Sequence, residues 1–186
     1  MKILLSGFEP FGTETQNPAW EAVKRLPDRI ATAELKRVKL PTSYERAWPV
    51  LKEEMNAFQP DLVICVGLAG GRAQICPEAA ALNRDDAGLA DNDGVTRGGS
   101  PIMESGENAY FTTLPVYDMA QNVRAEGIPS SVSYHAGTYV CNHLYYCLLH
   151  HLRQEGKGRR GLFIHLPYSC EMLAQTGRAA PALPLS

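Results

Sequence analysis

Residues 61–69, DLVICVGLA, and 161–167, GLFIHLP, are apolar almost without interruption, and they limit the fold more than any other stretch. A strand with one wet face alternates apolar and polar residues, whereas a strand covered on both faces reads as a continuous apolar run. Residues 2–8, KILLSGF, form a shorter run of the same kind. Covered strands of this sort belong to sheets with helices on both sides, and segments of helical period fall between them.

Asn17 followed by Pro18 is a helix start, with Trp20, Val23 and Leu26 as its apolar stripe and Pro27 as its stop. A second helix is capped by Ser43, buries Trp48, Leu51, Met55 and Phe58, carries Pro49 in its first turns and ends at Pro60. Thr113 and Pro115 open a third, with Val116, Met119 and Val123, that Gly127 closes; a fourth covers residues 139–153. Residues 33–40, 74–83 and 131–135 read as further strands. The order of elements predicts one α/β domain over residues 1–186, a three-layer α/β/α sandwich on a mixed, largely parallel sheet. Residues 84–108, rich in Gly, Asp, Asn and Ser, are expected to form a long functional cover or flexible segment. From about residue 174 the chain is rich in Ala and Pro without either period, and a loosely attached tail is expected.

Composition excludes several functions. Eighteen basic and 20 acidic residues leave a net charge of −2 with no dense basic run, so nucleic acid is not an expected partner. No stretch is long and apolar enough to span a membrane, and MKILLSGF is too short for a signal peptide, so a cytoplasmic location is expected. The five cysteines (65, 76, 141, 147 and 170) are odd in number and lack CxxC spacing, which argues for reduced thiols over disulfides or structural zinc. GFEPFGT lacks the lysine of a phosphate-binding loop, and GLAGGR does not fit the dinucleotide fingerprint. No cofactor or metal is expected, because the acidic residues Asp85, Asp86, Asp91 and Asp93 lack a calcium-loop pattern.

The chemistry concentrates in residues 133–152, SYHAGTYVCNHLYYCLLHHL, where a strand-like run passes through Gly137 into a helix. With Thr138 as cap, Cys141 is the third helical residue, and the free amides and dipole of the first turn favour a thiolate there and could hold a developing oxyanion. On a helical wheel Val140, Leu144, Cys147, Leu148 and His151 share one side, so Cys147 packs and Cys141 sits at the flank. A small buried cysteine explains Cys141 equally well at this point. Of the five histidines, His165 ends a buried strand, where open α/β sheets bind ligands. His143 is two residues from Cys141 and points away from it on a helix, while His150 and His151 suit a helix C-terminus. Glu78, in the apolar run CPEAAAL, would need a partner if buried, and an imidazolium would serve; the first turn of a helix beginning at Pro77 would explain it as well.

GFEPFG with Asn17-Pro18, then GGRAQICPEAAALN, SYHAGTYVCN and FIHLPY, taken in this order, resemble the pyroglutamyl peptidase I (pyrrolidone carboxyl peptidase) family of cysteine peptidases. The likeness runs from residue 1 to about 168. It implies an α/β sandwich of the phosphorylase/hydrolase-like type, no metal, and often a homotetramer. It also implies removal of an N-terminal pyroglutamyl residue from peptides, with Cys141 as nucleophile, His165 as general base and acid, and Glu78 as orienting carboxylate. Phe8 and Phe11 are implied as walls of the lactam pocket, with Asn17 as a supporting polar residue. Core packing for Phe8 and Phe11 and helix capping for Asn17 are compatible with those roles. The sequence departs from the family in reading Asp85-Asp86-Ala87-Gly88 where many members carry an arginine thought to assist the oxyanion, so that this help is either absent or supplied by Arg84 or Arg72. It departs again after FIHLPY, where members continue into a final amphipathic helix. A non-catalytic module that binds pyroglutamyl compounds is the alternative reading.

Overall fold

The computed structural model describes residues 1–185. In chain order its elements are β1 (Lys2–Phe8), α1 (Pro18–Val23), β2 (Arg29–Ile30), β3 (Ala33–Leu40), α2 (Ala47–Phe58) and β4 (Leu62–Leu68). Then come β5 (Cys76–Pro77), β6 (Ala80–Leu82), β7 (Asp85–Ala87), β8 (Arg97–Ser100), β9 (Ala109–Phe111), α3 (Val116–Ala125) and α4 (Val140–Glu155). β10 (Arg160–Leu166), β11 (Tyr168–Ser169), α5 (Cys170–Thr176) and β12 (Ala182–Leu183) complete the chain.

The central sheet has the order β2-β3-β1-β4-β10-β5. Its four long strands, β3, β1, β4 and β10, are parallel, and the short strands β2 and β5 add antiparallel edges. The expected mixed, largely parallel sheet is therefore present, with its long strands formed by the apolar runs. Period two divides each strand between two cores. Leu4, Phe8, Val63, Cys65 and Phe163 join the buried faces of α2 and α4, whereas Leu5, Val66 and Leu166 pack with Ala19 and Val23 of α1.

Local rules explain where several helices begin. Asn17 caps α1 by accepting from the Ala19 amide at 3.0 Å, with Pro18 at the first helical position. Ser43 does not cap α2. Its hydroxyl accepts from the Arg46 amide and closes the turn ahead of the helix, which starts at Ala47. Residues 74–83 do not form one strand either, because β5 pairs with β10 and β6 with β9, and the chain breaks between them at Glu78. Nor do residues 131–135 form a strand; Ser130 and Ser133 make isolated bridges to Ile75 and Glu78. The 84–108 segment contains the antiparallel hairpin β7-β8. In the C-terminal stretch α5 runs to Thr176, and β12 pairs with β11 in parallel, while Leu185 is bonded through its carbonyl to Arg25. Ser186 lies outside the described residues. A segment without period can still hold a short strand when its partner is distant in sequence.

Candidate active site

α4 begins after Gly137, whose φ of 78° supplies a turn that side-chain-bearing residues disfavour. The cap is Tyr139, so Cys141 is the second helical residue, one position earlier than the sequence suggests. Thr138 is occupied elsewhere, donating its hydroxyl to the Asp86 carbonyl at 2.7 Å. The first helical bond runs from the His143 amide to the Tyr139 carbonyl at 3.1 Å, so the amides ahead of it have no helical acceptor. Asn142, fully buried, fixes this end of the helix by accepting from Leu82 N and donating to the carbonyls of Leu82 and Arg84. Cys147 is buried, whereas Cys141 is half-buried and packs against the main core.

Cys141 Sγ lies over Gly67 near the end of β4, and Gly67 is the register partner of His165 on β10. The thiol thus lies against the strand position paired with His165, near the carboxyl ends of adjacent parallel strands and beside the point where β1 is flanked by β3 on one side and β4 on the other. His165 is 4% exposed, and its Nδ1 lies 2.7 Å from Glu78 Oε1. Glu78 has no exposed surface at all, and its Oε2 has no hydrogen-bond partner among the described residues. Its backbone is held on three sides: the amide donates to Phe163 O, the carbonyl accepts from Tyr145 OH, and the residue bridges Ser133. Glu78 therefore sits in an extended break between two strands, and the helix start at Pro77 does not occur.

One charge contact was not anticipated. Arg72 donates through Nη1 to Glu78 Oε1 at 2.8 Å and through Nη2 to Ser133 Oγ at 3.1 Å. The sequence signal for it was the buried carboxylate itself, which required a cation, and the GGR turn six residues upstream supplies one. Arg84, the other arginine named for the oxyanion, is bonded to the Gly99 carbonyl.

Charge states follow from this packing. Burial, followed by the Glu78 charge, pushes the Cys141 thiol up to about 12, against lowering by Arg72 and by its own backbone amide. Burial thus acts against the help that the helix start gives a thiolate. Burial also holds the His165 imidazolium below its ordinary range; Glu78 acts in the raising sense and Arg72 in the lowering sense. With Glu78 accepting as a carboxylate, Nδ1 carries the imidazole proton and Nε2 is the basic nitrogen. The remaining histidines are engaged elsewhere: His143 with Asp85, His150 with Tyr110, His151 with Trp48 and Glu155, and His135 with the Gly137 amide.

The family model described as pyroglutamyl peptidase, peptidase family C15, matches residues 1–186. The chain belongs to the pyroglutamyl peptidase family. A pyrrolidone-carboxylate peptidase of Thermosipho africanus is 49% identical over 168 residues, covering 90% of this chain and 82% of that protein. One from Bacillus amyloliquefaciens is 45% identical over 185 residues, covering 99% and 85%. Among solved structures, pyroglutamyl peptidase I of B. amyloliquefaciens superposes with a TM-score of 0.94 at 46% identity, over 99% of this chain and 89% of that one. The pyrrolidone carboxyl peptidase of Fervidobacterium islandicum gives 0.94 at 36% identity, over 100% and 91%.

In this pyroglutamyl peptidase family member, the residues singled out for the lactam pocket are not equivalent in position. Phe11 is partly exposed, its ring 6.0 Å from that of Tyr139 at the start of α4. Phe8 is buried in the α4-side core, 6.3 Å from the Phe163 ring, which in turn lies 4.8 Å from the His165 ring. Asn17 is buried, with its carbonyl oxygen capping α1 and its Nδ2 donating to Glu9 O at 3.1 Å. An apolar cleft of about 340 Å³ lined by Leu166, Tyr168 and Leu185 does not include Cys141 or His165 in its walls. Among the described residues no group of His, Cys, Asp and Glu is arranged to hold a metal ion.

Proposed function

We propose that this chain is a cysteine omega-peptidase that releases N-terminal pyroglutamate from peptides, with Cys141, His165 and Glu78 as its catalytic set within a single domain. The reading rests above all on one arrangement: Cys141 Sγ lies over Gly67, the strand partner of His165, whose far nitrogen is held by buried Glu78. In the resting site both partners are neutral. As the substrate carbonyl carbon is attacked, the Sγ proton passes to His165 Nε2 and the new C–S bond forms. The oxygen takes the negative charge near the free amides at the start of α4. The tetrahedral adduct collapses, the C–N bond breaks, and the imidazolium gives its proton to the departing amine. Water activated by the same Nε2 then cleaves the thioester, and pyroglutamate leaves with the thiol restored. Glu78 holds the imidazole orientation and offsets its positive charge while it exists.

Pyroglutamate presents a flat, uncharged ring, which apolar walls accept while disfavouring a charged amino terminus. Phe11 with Tyr139 forms such a wall beside the helix start, Phe8 supports the site through Phe163, and Asn17 anchors the loop that carries Phe11. The family resemblance supports assembly as a homotetramer, and exposed Phe111 and Tyr117 are apolar surfaces such an assembly could cover. A nucleophilic thiol with no disulfides supports a reducing, cytoplasmic setting. The test is hydrolysis of chromogenic amides of pyroglutamate, proline and glutamate at matched concentration. Release from the pyroglutamyl amide alone is expected, whereas binding of it without release would favour the non-catalytic module.

A further inference from the structure

We propose that Arg72 is a positioning residue for the reaction, holding Glu78 in its buried orientation and keeping His165 free of its proton so that the imidazole can act as a base. The inference rests on the catalytic reading above. Its geometry is a fork: Nη1 reaches Glu78 Oε1 at 2.8 Å and Nη2 reaches Ser133 Oγ at 3.1 Å, while the Ser133 hydroxyl donates to His135 O at 3.1 Å. Oε1 thus receives both Arg72 and His165, at 2.8 and 2.7 Å, and Oε2 receives neither.

A carboxylate with no exposed surface is costly to keep ionised beside a neutral imidazole alone, because one neutral donor does not replace the lost hydration. The Arg72 side chain, 28% exposed, supplies a cation that remains partly in water, and its desolvation is outweighed by the Glu78 charge together with its contacts to Cys76 and Glu78. Two consequences follow. Glu78 stays an acceptor, which fixes the proton of His165 on Nδ1 and leaves Nε2 toward the thiol. The guanidinium also opposes a second positive charge nearby, so His165 protonates at lower pH than it would beside Glu78 alone.

The titratable and charged groups packed around His165 are Cys65 on β4, Cys76 opposite it on β5, Cys141 and Tyr145 on α4, Glu78 after β5 and Arg72 in the turn after β4. Of these only Glu78 and Arg72 carry a formal charge. Removing Arg72 leaves Glu78 unopposed, which favours the imidazolium and withdraws the base from solution conditions where the wild type still uses it. Arg72→Lys keeps the charge but loses the fork to Ser133, and Ser133→Ala keeps the fork's charge but removes its second anchor.

The experiment measures kcat and KM for a pyroglutamyl amide across pH in the wild type, Arg72→Gln, Arg72→Lys and Ser133→Ala. In parallel, NMR follows the His165 imidazole, assigned by comparison with a His165→Gln variant. For Arg72→Gln the acid limb of kcat and the His165 titration should move upward together by about one pH unit, the effect of one nearby charge. Its kcat should fall about tenfold or more at neutral pH, with KM nearly constant. Arg72→Lys should restore most of the limb, and Ser133→Ala should shift it less than Arg72→Gln does. An unmoved His165 titration in folded Arg72→Gln, or in Ser133→Ala if Arg72→Gln does not fold, overturns the proposal. Because the NMR titration requires no substrate, a wild type that fails to hydrolyse pyroglutamyl amides would refute the catalytic reading separately.

Discussion

The sulfur of Cys141 rests against Gly67 so closely that a side chain on that glycine would collide with it. A Cβ built there would stand 2.9 Å from Cys141 Sγ and 2.7 Å from Phe163 Cζ. Glycine at this point of β4 is thus a condition for placing the thiol beside the strand that carries His165. Gly67→Ala should cost about 1–3 kcal/mol through overpacking. It should also lower kcat on the order of 100-fold, because a displacement of roughly 1 Å at the reacting atom is enough for that. Thermal unfolding and steady-state kinetics of the single variant check both. Full activity with unchanged stability would mean that Sγ does not lie where this packing puts it.

A resting thiol and a resting imidazole make a specific prediction for alkylation. With the Cys141 thiol pushed up to about 12 by burial, its reaction with iodoacetamide should accelerate continuously with pH. The rate should rise about tenfold per unit from about pH 7 to 9, since only the thiolate reacts and its fraction grows in that proportion below the pKa. The modification is read at the Cys141 peptide by mass spectrometry, because Cys170 is exposed and reacts independently. A rate already level near neutral pH would show a preformed thiolate–imidazolium pair instead.

Much of this architecture was legible because its determinants are local. The runs at 61–69 and 161–167 are apolar because β4 and β10 are covered on both faces, and Asn17-Pro18 starts α1 by capping chemistry contained within three residues. Where side chains reach across the fold, local period misleads. Residues 74–83 alternate like one strand, yet Glu78 turns into the core toward His165 and its amide bonds to Phe163, which divides the run into β5 and β6. The 84–108 segment reads as an open loop because its order comes from Asn83 and Asp91. Asn83 Oδ1 accepts from the amides of Ile102 and Met103, and Asp91 Oδ1 from those of Asp93 and Val95.

The candidate site shows the same division. A helix start and a strand end made Cys141 and His165 candidates and the family resemblance chose them, but the position of Cys141 on α4, one residue earlier than the sequence suggests, goes with Thr138 being drawn off to Asp86. Phe8 and Asn17 kept the packing and capping roles their neighbours dictate. The Arg72–Glu78 contact joins a turn to a strand break and has no periodic signature; only the unpartnered carboxylate in CPEAAAL pointed to it.

The proposed role of Cys141 in forming the covalent bond to substrate is tested by hydrolysis of a pyroglutamyl chromogenic amide by Cys141→Ala, beside Cys147→Ala. Circular dichroism and thermal unfolding establish that both variants are folded. Cys141→Ala should lose about 10⁴-fold or more in kcat/KM, as for other enzymes stripped of their nucleophile. Cys147→Ala should keep near-normal turnover with a stability loss of about 1 kcal/mol from its buried site. Turnover by folded Cys141→Ala within about tenfold of the wild type would contradict that role.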